Sequence, residues 1–171
     1  RQLVVCDLSQ IESRMLAWLA GEEWKLQAFR NYDAGTGPDV YVLTYHKSFG
    51  APIADILKDE AEGGTMRQIG KVQVLALGFQ GGPNAFASMA KIYGVKMEEA
   101  ERVETVKAYR KSVPNVVHLW YDSEDCARRA IANPGNTYPA GKMGRIAFER
   151  WKGWLMAHLP SGRRLCYASP K

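Results

Sequence analysis

Asp7 closes the apolar run Leu3-Val4-Val5-Cys6 and is followed by Leu8-Ser9-Gln10-Ile11-Glu12-Ser13-Arg14. A short apolar run ending in polar residues predicts a buried strand over 3–6. Ser9, with Glu12 three positions on, predicts a helix start closed by a capping box. A strand that hands a carboxylate to the mouth of a helix holds it rigidly. Such a carboxylate suits Mg²⁺, which takes oxygen donors and usually only one or two protein carboxylates. On spacing alone, the simpler reading is an ordinary strand-to-helix turn in which Asp7, Ser9 and Glu12 serve only as caps.

The second candidate constellation lies in Arg67-Gln68-Ile69-Gly70-Lys71-Val72-Gln73-Val74-Leu75-Ala76-Leu77-Gly78-Phe79-Gln80-Gly81-Gly82. Arg67, Lys71, Leu75 and Phe79 recur every fourth residue. On a helix they form one slowly winding stripe, with the two cations about 6 Å apart along the axis. A stripe that is basic at one end and apolar at the other can hold a triphosphate at the cations while a base or sugar packs on the apolar pair. Without context, an amphipathic helix with solvated cations accounts for the same spacing. A Walker-type phosphate loop does not. Between Gly64 and Gly70 stand five residues where that motif needs four, and Val72 follows the lysine where it needs Ser or Thr. Gly63 and Gly64 then serve as a flexible helix start.

Asp7 to Arg14 resembles the first catalytic motif of family A DNA polymerases, the DNA polymerase I family, whose pattern is Asp-Tyr-Ser-Gln-Ile-Glu-Leu-Arg. Only Leu8 and Ser13 depart from it. Leu16-Ala17, Leu19-Ala20-Gly21-Glu22, Leu26, Ala28-Phe29, Asp39-Val40-Tyr41 and Ser48-Phe49-Gly50 continue the likeness in order. The stretch from Arg67 is similar to the nucleotide-binding fingers helix of that family, Arg-x-x-x-Lys-x-x-x-Phe-Gly-x-x-Tyr-Gly, closest to its phage and prophage form. Leu75 stands where the family has an aromatic residue, Phe79 where it has Tyr, and Ala76 and Gln80 where it has glycines.

The resemblance implies a right-hand polymerase fold of α+β class, with fingers helices inserted into a β-containing palm. Residues 1–20 would be a palm segment, 21–114 the fingers, and 115–171 a helix and β-hairpin returning to the palm. It implies template-directed transfer of a deoxynucleotide to a primer 3′-hydroxyl, with two Mg²⁺ ions, and with primer-template DNA and deoxynucleoside triphosphates as partners, in the cytoplasm of a bacterial host cell. Asp7 and the backbone carbonyl of Leu8 would bind metal. Arg67 and Lys71 would grip the triphosphate, with Lys71 as proton donor to pyrophosphate. Gln10 and Glu12 would line the sugar, and Leu75 and Phe79 the base. The family's His-Asp-Glu triplet, which holds its second metal carboxylate, does not occur in this sequence, so the 171-residue chain alone is expected to be inactive. Two alternatives stay open: a non-catalytic nucleotide- or DNA-binding remnant of a prophage polymerase, and a relative of the single-subunit RNA polymerases. The second is disfavoured because that branch carries Gly where Glu12 stands.

Composition agrees with these readings. A hydrophobic content of 46% marks a globular chain with room for a core, and a formal net charge of +5 suits a polyanion partner. Cys6, Cys126 and Cys166 are far apart and unpaired by motif, which suggests neither a disulfide framework nor a zinc site and makes a reducing compartment the default. No apolar run approaches membrane-spanning length. The chain lacks an initiator Met and opens at Arg1 on a strand-like run, so it reads as a piece of a longer protein.

Helices are predicted near 9–20, 23–32, 39–48, 53–60, 65–79, 84–92, 97–112 and 115–132, and strands at 145–151, 154–159 and 164–167, the last two joined by Pro160-Ser161-Gly162-Arg163. Trp120, Tyr121, Trp151 and Trp154 are expected in the core rather than stacked on bases. Glu124 and Asp125 read as a solvated helix face, and His46, His118 and His158 carry no assigned chemistry.

Overall fold

The structure, a computed structural model, describes residues 2–170; Arg1 and Lys171 lie outside the described residues. Eight helices precede four strands: α1 (Ile11–Ala20), α2 (Glu23–Asp33), α3 (Val40–Phe49), α4 (Ile53–Ala61), α5 (Met66–Leu77), α6 (Pro83–Ile92), α7 (Glu99–Ser112), α8 (Pro114–Ala132), β1 (Thr137–Ala140), β2 (Ile146–Trp151), β3 (Trp154–His158) and β4 (Arg164–Ala168). The class is α+β, as the sequence predicts. The strands form an antiparallel meander in the order β1-β2-β3-β4, with Phe148 opposite Ala157 and Leu155 opposite Tyr167. Helix α8 packs on β1 and β2 and joins the sheet to the helices.

The main core gathers Val72 and Leu77 of α5, Phe86 and Ala90 of α6, Val106 and Tyr109 of α7, and Val116 and Leu119 of α8 around Ala20. Helices α3 and α5 press together at Gly70, where a Cβ would overlap the carbonyl oxygen of Tyr41. Only glycine permits that approach, and it sets Tyr41 next to Lys71.

Two charged residues lie inside this body. Glu22 is 4% exposed and Lys25 1%. The Glu22 carboxylate accepts the backbone N–H of Asn115 at 2.9 Å and of Val116 at 3.4 Å. It thereby caps α8, whose first residue Pro114 has no N–H to offer. Burial holds the Glu22 carboxyl above its ordinary pKa. Lys25 donates to the Tyr109 hydroxyl at 3.4 Å, and desolvation, partly offset by Glu22, pushes its ammonium down to about 8.

Several expectations are corrected. Residues 3–6 do not form a buried strand: Leu3, Val4 and Val5 are about nine-tenths exposed, and no sheet includes them. A strand needs a neighbour to take its backbone groups, and the four described strands pair only with one another. The Ser9–Glu12 capping box does not form either. Gln10 occupies the N-cap of α1 in a left-handed conformation (φ 56°, ψ 28°), without a side-chain cap. Helix α5 ends at Leu77, so Phe79 stands beyond it and is 68% exposed.

Strand β1 was not foreseen, because Pro139 within it argues against strand and only an edge position tolerates it. Tyr121, Trp151 and Trp154 are roughly half exposed, unlike Trp120, which packs against the core. Gly64 is more than a flexible lead-in to α5. It packs against Asp59, whose Oδ2 accepts the Met66 N–H at 2.8 Å at the start of that helix. Pairs Arg128–Glu124 and Arg129–Asp125 run along α8 as a solvated face should, and the turn after β3 closes with Leu159 N–H donating to the Arg163 carbonyl at 2.9 Å.

Candidate functional site

A cleft of about 330 Å³ opens between the N-terminal end of α1 and the face of α5. Asp7, Leu8, Gln10, Glu12 and Ser13 form one wall; Lys71, Leu75 and Phe79 form the other; Tyr41, Tyr93 and Tyr109 close it. Seven of the eight residues singled out in the sequence thus line one space, although the two motifs lie some sixty residues apart.

Arg14 fixes the wall that carries Asp7. Its guanidinium is bidentate to Asp33 at 2.7 and 2.8 Å, sits 4.5 Å above the Phe29 ring, and donates from Nε to the Ser9 carbonyl at 3.0 Å. The segment before α1 is therefore held from α2 despite its missing cap. Ile11 N–H donates to the Leu8 carbonyl at 3.2 Å, which closes the turn behind Asp7. Gln10 Oε1 and Ser13 Oγ are buried and have no partner among the described residues. Both residues line the cleft, but these two atoms are turned away from solvent.

Arg67 is the one predicted residue that does not line the cleft. Its Nε and Nη2 both donate to Oδ2 of Asp39, the former at 2.8 Å, and Nε lies 3.3 Å from Glu60. Oδ1 of the same Asp39 accepts the N–H groups of Tyr41 and Val42 at 2.9 and 3.0 Å and so caps α3. The partners of Arg67 hold its pKa above the ordinary value against desolvation, the largest single influence, which lowers it. Lys71, one turn later, has no ion-pair partner among the described residues. Its Nζ lies 4.4 Å from the centroid of Tyr93 and 6.0 Å from that of Tyr41.

The donor chemistry at the cleft fits a hard cation. Asp7 and Glu12 offer carboxylate oxygens to a solvent-open space, and Mg²⁺ is commonly held by one or two carboxylates with water completing its shell. Asp122, Asp125 and Cys126 on α8 also converge, but Asp122 is engaged there by the Gly141 N–H at 2.6 Å and Cys126 faces the Pro139 carbonyl at 3.4 Å. That cluster fastens α8 to the end of β1.

Over 170 residues, 99% of its length, the chain is 38% identical to a DNA polymerase of Bacillus phage SP02. The similarity to a DNA polymerase thus runs along nearly the whole of this chain. Over 108 residues, 63% of its length, it is 31% identical to DNA polymerase I of Mycobacterium bovis and of Mycobacterium tuberculosis. It spans 24% of the phage polymerase and 10% of the mycobacterial ones. No family model matches it. Among the described residues, no helix is long and apolar enough to cross a membrane.

Sequence reasoning assigned no role to Tyr93 or Tyr109. Tyr109 carried only a weak signal, its place three residues after Val106 on the polar helix α7, whereas Tyr93 follows the end of α6 and is brought to Lys71 only by tertiary packing.

Proposed function

We propose that the cleft is the deoxynucleoside triphosphate site of a DNA-directed DNA polymerase, with residues 1–20 belonging to its palm, 21–114 to its fingers and 115–171 returning to the palm. The observation that carries this reading is the meeting of Asp7, Gln10 and Glu12 with Lys71, Leu75 and Phe79 around one space. Kinship with phage and bacterial DNA polymerases supports it.

In the proposed reaction a primer 3′-hydroxyl attacks the α-phosphate in line, and pyrophosphate leaves. Lys71 neutralises the triphosphate and gives a proton to the leaving pyrophosphate. Gln10 and the stem of Glu12 border the sugar; Leu75 and Phe79 border the base. Arg67 joins the triphosphate only by leaving Asp39 and Glu60. Two Mg²⁺ ions, for which Asp7 and the Leu8 carbonyl are the ligands this chain offers, supply Lewis-acid stabilisation of the attacking and leaving oxygens when bound. One such carboxylate does not suffice for two ions, and the 171-residue chain alone is expected not to extend a primer.

The test is Lys71→Ala in a polymerase carrying this chain. A charge-assisted hydrogen bond contributes roughly 1.5 to 3 kcal/mol, so kcat/KM for the nucleotide should fall at least about tenfold while primer-template binding stays nearly constant. Equal losses in both assays would move Lys71 out of the nucleotide site.

A further inference from the structure

Lys71 has no carboxylate partner among the described residues, yet its environment is specific. The Tyr93 ring lies 4.4 Å from Nζ, inside the range of a cation–π contact, with the Tyr41 ring at 6.0 Å on the limit of that range. Both rings are themselves fixed. Tyr93 packs against the main core, and its backbone N–H donates to the Met89 carbonyl at 3.2 Å at the end of α6. Tyr41 is held by the Asp39 cap and by the close crossing at Gly70.

A ring face and a carboxylate act differently on a lysine. A carboxylate neutralises the ammonium and competes with an incoming anion. A ring attracts the cation through its quadrupole and leaves the positive charge for a ligand. It also restricts a flexible side chain beforehand, which lowers the ordering cost of binding.

We infer that Tyr93, with Tyr41 as a weaker second ring, is a positioning residue that holds the Lys71 ammonium in the cleft wall, charged and open to an anionic ligand. That the anion is a triphosphate rests on the nucleotide reading above; the clamp itself does not.

The experiment labels the chain with ¹³C at the lysine ε-carbon and assigns the Lys71 signal by its loss in Lys71→Arg. In the unsubstituted chain the Lys71 ε-protons should stand upfield of the solvated lysines through the ring current. Tyr93→Leu should abolish most of that displacement and weaken dATP binding, followed by titration, about fivefold. Tyr93→Phe, which keeps the ring, should restore both. A Lys71 signal at the solvated position in the unsubstituted chain overturns the clamp, whatever becomes of the Tyr93→Leu fold. So does an affinity loss as large in Tyr93→Phe as in Tyr93→Leu. A displaced, Tyr93-dependent Lys71 signal in a chain that takes up no dATP would support the clamp and overturn the nucleotide reading.

Discussion

Arg67 and Lys71 stand one turn apart on the same helix and share the Tyr41 ring, at 5.4 and 6.0 Å, yet the rest of their surroundings differs. Arg67 is also engaged by two carboxylates and lies outside the cleft, whereas Lys71 has no carboxylate partner among the described residues, meets the Tyr93 ring and lines the cleft. Neither difference is encoded in α5 itself. Asp39, Glu60 and Tyr41 come from or adjoin α3 and α4, and Tyr93 follows α6. A spacing of four places two cations on one face; the helices packed against that face decide which of them is free to meet a ligand.

The strongest way to break the contrast is to separate the helices that create it. Gly70→Ala would drive a Cβ into the Tyr41 backbone where α3 and α5 cross. The obstacle is main chain and cannot swing aside, so the expected cost is at the upper end of overpacking, about 3 kcal/mol. Chemical denaturation measures it. Arg67 should lose Asp39 and Lys71 its weaker ring, Tyr41, while Tyr93, which follows α6, stays in place, so the ring-current displacement of Lys71 should shrink only slightly in the same variant. A stable Gly70→Ala protein with an unchanged Lys71 signal would contradict the placement of Tyr41.

Asp39→Asn sharpens the contrast by making Arg67 resemble Lys71. The amide oxygen of Asn can still accept from Tyr41 and Val42 as a helix cap, so the change puts an NH2 where Oδ2 accepts from Arg67 and removes both the charge and the acceptor that hold it. With the Arg67 and Asp39 side chains 25% and 11% exposed, the stability loss should be about 1 kcal/mol, above that of a fully exposed pair. If Arg67 is a second triphosphate ligand kept back by Asp39, nucleotide affinity should rise despite the lower melting temperature. A fall in both would make Arg67 a structural tie between α3 and α5.

Much of this arrangement was legible in the sequence, and the failures share a cause. Helix boundaries were readable because the apolar period and the Gly and Pro breaks are local signals; α5 begins one residue from its predicted start. The hairpin of β3 and β4 was announced by its turn. Lys25 could have been found, since it precedes Ala28 and Phe29 by three and four residues on the buried face of α2. What local pattern could not give was pairing across distance. The 3–6 segment has strand-like composition without a neighbour among the described strands, Arg67 finds its carboxylate 28 residues away, and Trp151 and Trp154 look like core residues until the sheet leaves them half exposed.

The smallest expected change in stability, and the most selective in function, belongs to Glu12. From the sequence it had two roles, a capping partner of Ser9 or a border of the sugar. The capping role is excluded here, because the left-handed Gln10 takes the N-cap and no side-chain cap bond forms. Glu12 is exposed in the first turn of α1 and lines the cleft. Its remaining contribution to the fold is the favourable interaction of an acid with a helix N-terminus, about 0.3 to 1 kcal/mol. Glu12→Ala should therefore lower the melting temperature only slightly. If the stem borders C2′ of the incoming sugar, its removal opens space for a ribose hydroxyl, and the ratio of kcat/KM for deoxynucleotide over ribonucleotide should narrow, chiefly through faster ribonucleotide use. Glu12→Gln, which keeps the stem and drops the charge, separates the two effects: it should share the small stability loss and retain the sugar preference. An unchanged ratio in Glu12→Ala would remove the sugar from this wall of the cleft while leaving the triphosphate role of Lys71 intact.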